Sequence, residues 1–193
     1  MDEIIDVLDE KTGDIIGNVK KSIAHKKGIW HGSINIIILN EDGTKILLQK
    51  RSSQKSFYPN MWDITVGGHI TSGETAIEAA KRELYEELGL ECENIQKVTV
   101  VKESLEDNGI ISNEFVTVFL VRKNIDLKTI KLQNDEVSEA KWCTSEDLES
   151  LISEYKIIPH VYFDILQQLI VKKVWLEKIF KYLNIKLIVK FNI

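Results

Sequence analysis

The chain has 193 residues, 44% of them hydrophobic and 28% charged, with a net charge of -5 at neutral pH. Those values suit one globular domain with a full core and exclude a disordered, collagen-like or solenoid chain. No apolar run approaches the roughly 18–20 residues of a membrane span, and the acidic start MDEIIDVLDE lacks the basic segment of a secretory leader. Cys92 and Cys143 stand far apart with no metal-type spacing, which predicts two reduced thiols and a cytoplasmic setting.

Residues 3–19 read as a hairpin around Lys11-Thr12-Gly13-Asp14. Residues 20–30 are polar and predict a loop. HGSINIIILN predicts a strand, which Asn40-Glu41-Asp42-Gly43 turns into a second, KILLQKR. Residues 52–60, with Pro59, predict a loop, and MWDITV a further strand closed by Gly67-Gly68. Thr75 and Glu78 form the T-x-x-E capping box of a helix favoured by Ala76, Ala79 and Ala80 and stopped by Gly89. VTVV (98–101) and EFVTVFLVR (114–122) predict strands about an EDNG turn, and EAKWCT a short strand. Thr144 with Asp147 caps another helix. From His160 onward, Tyr162, Leu166, Leu169, Leu176, Phe180 and Leu183 recur at helical spacing. The sum is a mixed α/β layout.

The domain is read as residues 1–171, followed by a basic, apolar extension over 172–193. That extension has six lysines against one acid, Glu177, and leaves about -10 for the part before it. So acidic a body argues against a nucleic-acid polymer as partner and suits the concentration of divalent cations. The extension, ending IKLIVKFNI, reads three ways: packing on its own domain, pairing with a second copy as a homodimer, or lying on an anionic membrane surface. Contact with protein hides its large apolar residues best.

In the first capped helix, Glu83, Glu86 and Glu87 stand at i, i+3 and i+4 and share one face, opposite Ala76, Ala80, Leu84 and Leu88. Like charges at these spacings repel by a few tenths of a kcal/mol per pair, and two sit in the last turn, where the helix dipole disfavours anions. A bound divalent cation reverses the sign of these terms, and hard oxygen ligands favour Mg2+ or Mn2+ over zinc. A glutamate-rich face alone is usually just solvated; what makes this one specific is the whole spaced pattern over residues 68–90.

That stretch, GHITSGETAIEAAKRELYEELGL, is identified as a complete Nudix box. The resemblance implies an α/β/α sandwich with a central mixed sheet and a loop-helix-loop catalytic motif. It also implies hydrolysis of a diphosphate linkage, in a nucleoside diphosphate derivative or a related small organic diphosphate, using Mg2+ or Mn2+. On this likeness Glu83, Glu86 and Glu87 are metal ligands together with the Gly68 carbonyl. The base is one of them or an acid outside the box, such as Asp135 or Glu136. Arg82 orients the carboxylates, and Glu74 braces the junction of loop and helix. The chemistry agrees, because a divalent metal neutralises phosphoryl charge and activates water, whose proton a carboxylate takes.

Residues 24–70 further resemble the subgroup that includes isopentenyl diphosphate isomerase, through His25 and His31, QKRSSQK, YPNMW and GGH. This likeness implies metal binding by His25, His31 and His69, diphosphate contacts from Arg51 and Lys55, and a second catalytic carboxylate at Glu114. In that isomerase a cysteine before the G-H pair transfers protons at carbon; here Gly67 stands in its place and offers no acid, base or nucleophile. Trp30, Phe57, Tyr58 and Trp62 are aromatic candidates to flank a base or an apolar chain, Trp62 being placed with Arg51, Lys55 and Glu114 among the substrate contacts. An isomerase-like enzyme and a non-catalytic nucleotide-diphosphate sensor are the alternatives to a hydrolase.

Overall fold

The structure, a computed structural model, describes residues 2–170. The extension over 172–193, with Leu176, Phe180 and Leu183, lies outside the described residues. Strand β1 (Ile4–Leu8) and β2 (Ile15–Lys20) form a hairpin, followed by helix α1 (Lys21–Lys27), β3 (His31–Leu39) and β4 (Ile46–Arg51). After a loop come β5 (Trp62–Asp63), β6 (Val66–His69) and helix α2 (Ala76–Leu88). The long pair β7 (Gln96–Asp107) and β8 (Ile110–Arg122), then β9 (Val137–Cys143) and α3 (Ser145–Ser153), complete the named elements. Residues 163–170 are helical.

The strands make one mixed sheet with β3 at its centre. β3 runs parallel to β8 along its length, antiparallel to β6, and meets β4 at its far end. Alternation along β3 divides the core. Ile34, Ile36 and Ile38 face α2 and pack with Ala79, Ala80, Leu84 and Leu88. Ile37 and Leu39 face the other way, onto Leu148 and Leu151 of α3 and onto Tyr162, Leu166 and Ile170. The result is an α/β/α sandwich.

Four sequence expectations are corrected. Residues 20–30 are not a loop: α1 forms there and ends on Gly28, whose φ of 61° is left-handed. Its signals are weak, since Lys20 offers no capping side chain and Ala24 is its one buried residue. Tertiary contacts hold it instead, with Asp2 accepting from the Ser22 hydroxyl at 2.6 Å and Glu3 paired to Lys21 at 3.0 Å. MWDITV is not one strand. It breaks at Thr65, whose hydroxyl donates to the Leu47 carbonyl and accepts from the Ile38 amide, so that β5 joins β4 while β6 joins β3. Gly67 and Gly68 do not close a strand but lie within β6, level with Asn35 and Ile34. The EDNG turn narrows to Asn108-Gly109, both with positive φ (50° and 76°), which suits the twist of a tight hairpin and lets both strands run longer.

Candidate active site

A cavity of about 380 Å³ opens where β3, β6, β7 and β8 meet α2 and the loop after β4. On its α2 side the capping box fixes the helix start: Thr75 Oγ1 accepts from the Glu78 amide and Glu78 Oε2 from the Thr75 amide. Helix phase then sets Glu83, Glu86 and Glu87 toward the cavity, at unequal depths. Glu87 is buried, Glu83 nearly so, and Glu86 half exposed. Gly68 makes this approach feasible, because a Cβ there would stand 2.2 Å from the Glu83 carboxylate.

Arg82 ties the cluster together. Its Nε and Nη2 donate to the two Glu74 oxygens at 3.0 and 2.9 Å, its Nη1 to Glu83 at 2.6 Å and Glu86 at 3.3 Å, and Nη2 also to the His69 carbonyl at 3.0 Å. Glu74 in turn accepts from the Thr71 amide and hydroxyl, so the loop before α2 is braced to the helix. Glu87 has a neutral partner only, Gln49 Nε2 at 3.2 Å, among the described residues. Burial raises its carboxyl well above the ordinary value, and the neighbouring Glu83 charge adds to the rise. A buried carboxylate lacking a cation, next to two more and a backbone carbonyl, is a fitting donor set for a hard divalent ion.

A second cluster adjoins it. His31 on β3 is level with Glu114 on β8, and α1 and β6 bring His25 and His69 to the same place. One donor atom from each of the four lies within 4.8 Å of the others. His31 Nδ1 donates to the Ile29 carbonyl at 2.7 Å, and its buried Nε2 has no hydrogen-bond partner among the described residues, with Glu114 Oε1 3.6 Å away. His25 and His69 turn Nε2 toward each other at 3.0 Å. Burial lowers both, His25 to about 4, so they are neutral imidazoles near pH 7, the form that ligates metals. This donor set also fits a metal, of a kind that accepts imidazole.

The remaining sequence candidates are spread. Arg51 and Lys55 line the cavity. Arg51 donates twice to the Phe57 carbonyl, at 3.0 and 2.9 Å, and reaches Asp63 at 3.5 Å, thereby holding the loop after β4. Lys55 pairs with Glu136, which also lines the cavity; Asp135 does not. Phe57 is on the wall, whereas Tyr58 is bound to Asp107 and Glu106 of β7. Trp62 sits in the core, 9% exposed, with the Lys141 ammonium 4.0 Å over its ring, because its place in β5 turns it inward. Trp30 packs on Phe115 beneath Lys102.

Sequence reasoning missed Ser33, Asn35, Asp63, Glu103 and His160. A signal was present for two of them: in HGSIN, His31, Ser33 and Asn35 alternate onto one strand face. Nothing local marked the pairing of His160 with acids 97 and 57 residues away.

The NUDIX domain family matches residues 30–163. Over 160 residues the chain is 36% identical to Nudix hydrolase 3 of Arabidopsis thaliana, covering 79% of this chain but 21% of that much longer protein. It is 33% identical over 163 residues to isopentenyl-diphosphate Delta-isomerase 2 of Photorhabdus laumondii, covering 84% of this chain and 89% of the relative. A Deinococcus radiodurans crystal structure superposes with a TM-score of 0.67 at 22% identity, over 86% of this chain and 98% of that one, a likeness of fold. With the complete box, the sandwich around it and these matches, the chain belongs to the NUDIX domain family, the family of the Nudix hydrolases.

Proposed function

We propose that the protein is a Mg2+- or Mn2+-dependent hydrolase that cleaves the diphosphate linkage of a nucleoside diphosphate derivative or a related small organic diphosphate. The observation that carries this reading is Glu87: a buried carboxylate facing the cavity beside Glu83, Glu86 and Gly68, with no cation in hydrogen-bond reach among the described residues. Glu83, Glu86, Glu87 and the Gly68 carbonyl would hold the ion, which supplies charge neutralisation on the phosphoryl oxygens and a more acidic water. Arg82 keeps Glu83 and Glu86 in position and stays charged throughout, its pKa raised chiefly by hydrogen bonding to Glu74. Lys55 meets the diphosphate, and turning toward it releases Glu136 as one candidate base alongside the box carboxylates. His25, His31, His69 and Glu114 form a second cation site on the same cavity. The substrate is a small molecule and the setting cytoplasmic. No described helix is long and apolar enough to cross a membrane.

The test is release of phosphate or a monophosphate from a panel of nucleoside diphosphates, nucleotide sugars, dinucleotides and prenyl diphosphates with Mg2+ or Mn2+. Glu86→Gln is expected to lower turnover by about a hundredfold or more. Absence of metal-stimulated cleavage across the panel would defeat the proposal. An isomerase reading draws on the histidine cluster and on the isomerase relatives. Against it, Gly67 offers no side chain for proton transfer, and one placed there would start 2.7 Å from Asn35 Oδ1 and displace it. Double-bond migration in isopentenyl diphosphate, followed by proton NMR, would establish it.

A further inference from the structure

The same cavity has a polar wall that the cation sites leave unused, made by Asp63 of β5, Glu103 of β7, and Ser33 and Asn35 of β3. His160 lies behind the two acids and is nearly buried. Its Nε2 donates to Asp63 Oδ1 at 2.8 Å and its Nδ1 to Glu103 Oε2 at 3.0 Å. Burial alone would lower its pKa, but the two carboxylates raise it to about 10, so both N–H groups are engaged at neutral pH. The carboxylates are anchored further: Glu103 Oε1 accepts from the Val161 amide at 2.9 Å, and Asp63 Oδ1 from the Ile64 amide at 2.8 Å. Tyr162 stacks on the imidazole, with centroids 5.0 Å apart, and its hydroxyl accepts from Asn35 Nδ2 at 2.5 Å. Two acids are thus immobilised at the cavity surface, with lone pairs to spare beyond the 3.5 Å contact from Arg51 to Asp63.

Ser33 supplies the independent observation. It lines the cavity, is 3% exposed, and its hydroxyl has no hydrogen-bond partner among the described residues. An unmade buried hydrogen bond is costly and unusual in a folded protein, and a ligand in the cavity can make it.

We propose that Asp63, Glu103 and Ser33 form a recognition site for sugar hydroxyl groups, so that the organic part of the substrate is a ribose or a hexose and not a hydrocarbon chain. This rests on the diphosphate-hydrolase reading above and narrows its substrate class. An ionised carboxylate only accepts hydrogen bonds, so the ligand that satisfies this wall is rich in O–H donors. A vicinal diol is well matched to it, as where a single acid holds a ribose hydroxyl in dinucleotide-binding folds. Phe57, Leu105 and Ile158, on the same cavity, offer apolar surface to the C–H face of a sugar. A prenyl chain laid there would strip water from two carboxylates and return no donor.

The test is calorimetric titration of the full chain, with Ca2+ present, by ADP, 2′,3′-dideoxy-ADP, uridine diphosphate glucose and isopentenyl diphosphate. At least one of ADP and uridine diphosphate glucose is expected to bind tenfold or more tightly than isopentenyl diphosphate. Weaker binding of the dideoxy compound than of ADP assigns the site to ribose; equal binding of those two, with uridine diphosphate glucose tighter, assigns it to the hexose. Ser33→Ala and Asp63→Asn, each checked for a retained thermal transition, should reduce the preference by about fivefold to tenfold. Ser33→Ala touches no ion pair and keeps the test sound should Asp63→Asn fail to fold. The proposal is overturned if isopentenyl diphosphate binds as well as both sugar-bearing probes, if neither of those binds, or if Ser33→Ala leaves the preference unchanged. Turnover assayed in parallel separates the two readings: cleavage without a sugar preference removes this site alone, and a sugar preference without cleavage removes the hydrolase alone.

Discussion

Replacing Gly68 with alanine probes the point where α2 meets the sheet. The backbone does not forbid the change, since Gly68 is not in the left-handed region. The obstacle is Glu83: the new Cβ would lie 2.2 Å from its Cδ and Oε1, whereas ordinary contact begins at 3.4 Å. The carboxylate must therefore retreat by about 1.2 Å, the difference between those distances. What yields is the end of a side chain, so overpacking costs about 1–3 kcal/mol, offset by about 0.4–1 kcal/mol from the reduced freedom of the unfolded chain. Glu83 does not move alone. Arg82 grips it at 2.6 Å and also carries Glu74 and Glu86, so the shift passes to the whole cluster.

A misplacement of about 1 Å at a reacting centre costs on the order of a hundredfold in rate. Mg2+-dependent diphosphate cleavage by Gly68→Ala should fall by about that factor. Mn2+ affinity, read by electron paramagnetic resonance, should weaken in parallel, while the thermal midpoint drops by only a few degrees. A variant that keeps both turnover and Mn2+ affinity refutes the view that this glycine exists to admit the Glu83 carboxylate.

Three other outcomes follow from the same structure. Burial holds the Glu87 carboxyl far above its value in the unfolded chain, so its contribution to stability is best at low pH and is lost as pH rises from about 4.5 through the raised value. Metal-free Glu87→Gln should accordingly be about 1–3 kcal/mol more stable than wild type at pH 7, yet lose the thermal stabilisation that Mg2+ gives; scans with and without Mg2+ decide. His160 is the opposite case. Its raised pKa stabilises the fold fully below about 6.5, and the effect is lost as pH climbs through about 10. Urea unfolding of His160→Gln should show a loss of about 3–5 kcal/mol at pH 7 that shrinks toward pH 10, and an equal loss at both would count against the imidazolium. Thr75→Ala removes one side of the α2 capping box and should cost about 1 kcal/mol, a drop of about 2–4 °C in Tm.

The parts of the fold that could be read from the sequence were those specified locally. Both capping boxes, the Gly89 stop and the apolar stripe Ala80, Leu84 and Leu88 depend on neighbours within one or two turns, and each forms where the residues foretell. The parts that could not be read depend on distant partners. Helix α1 lacks a local cap and is tied to Asp2 and Glu3, and MWDITV divides where Thr65 bonds two other strands. The same division runs through the site. The Glu83, Glu86 and Glu87 face is a helical pattern, visible in thirteen residues. The wall of Ser33, Asp63 and Glu103 is assembled from three strands and a C-terminal histidine, with no period to announce it. Trp62 misled because an aromatic near a strand end looks the same whether it turns to the cavity or, as here, to the core.

Charge accounts for why the cavity is built this way. Eight carboxylates line it: Glu3, Asp63, Glu83, Glu86, Glu87, Glu103, Glu114 and Glu136. Six of them have a cationic side chain within 4 Å. Lys21 serves Glu3, Lys55 serves Glu136, Arg82 serves Glu83 and Glu86, and His160 serves Asp63 and Glu103, whereas Glu114 faces the imidazoles of His31 and His69, its companions in the second donor cluster. Among the described residues, Glu87 has only an amide beside it, and Glu114 only imidazoles. So dense a set of acids is stable only with local compensation, because low dielectric magnifies each unpaired charge. The acids left without a cation are therefore where an added divalent ion gains most, and Glu87 shares its helix face with Glu83, whose carboxylate fills the space that a Cβ at Gly68 would take.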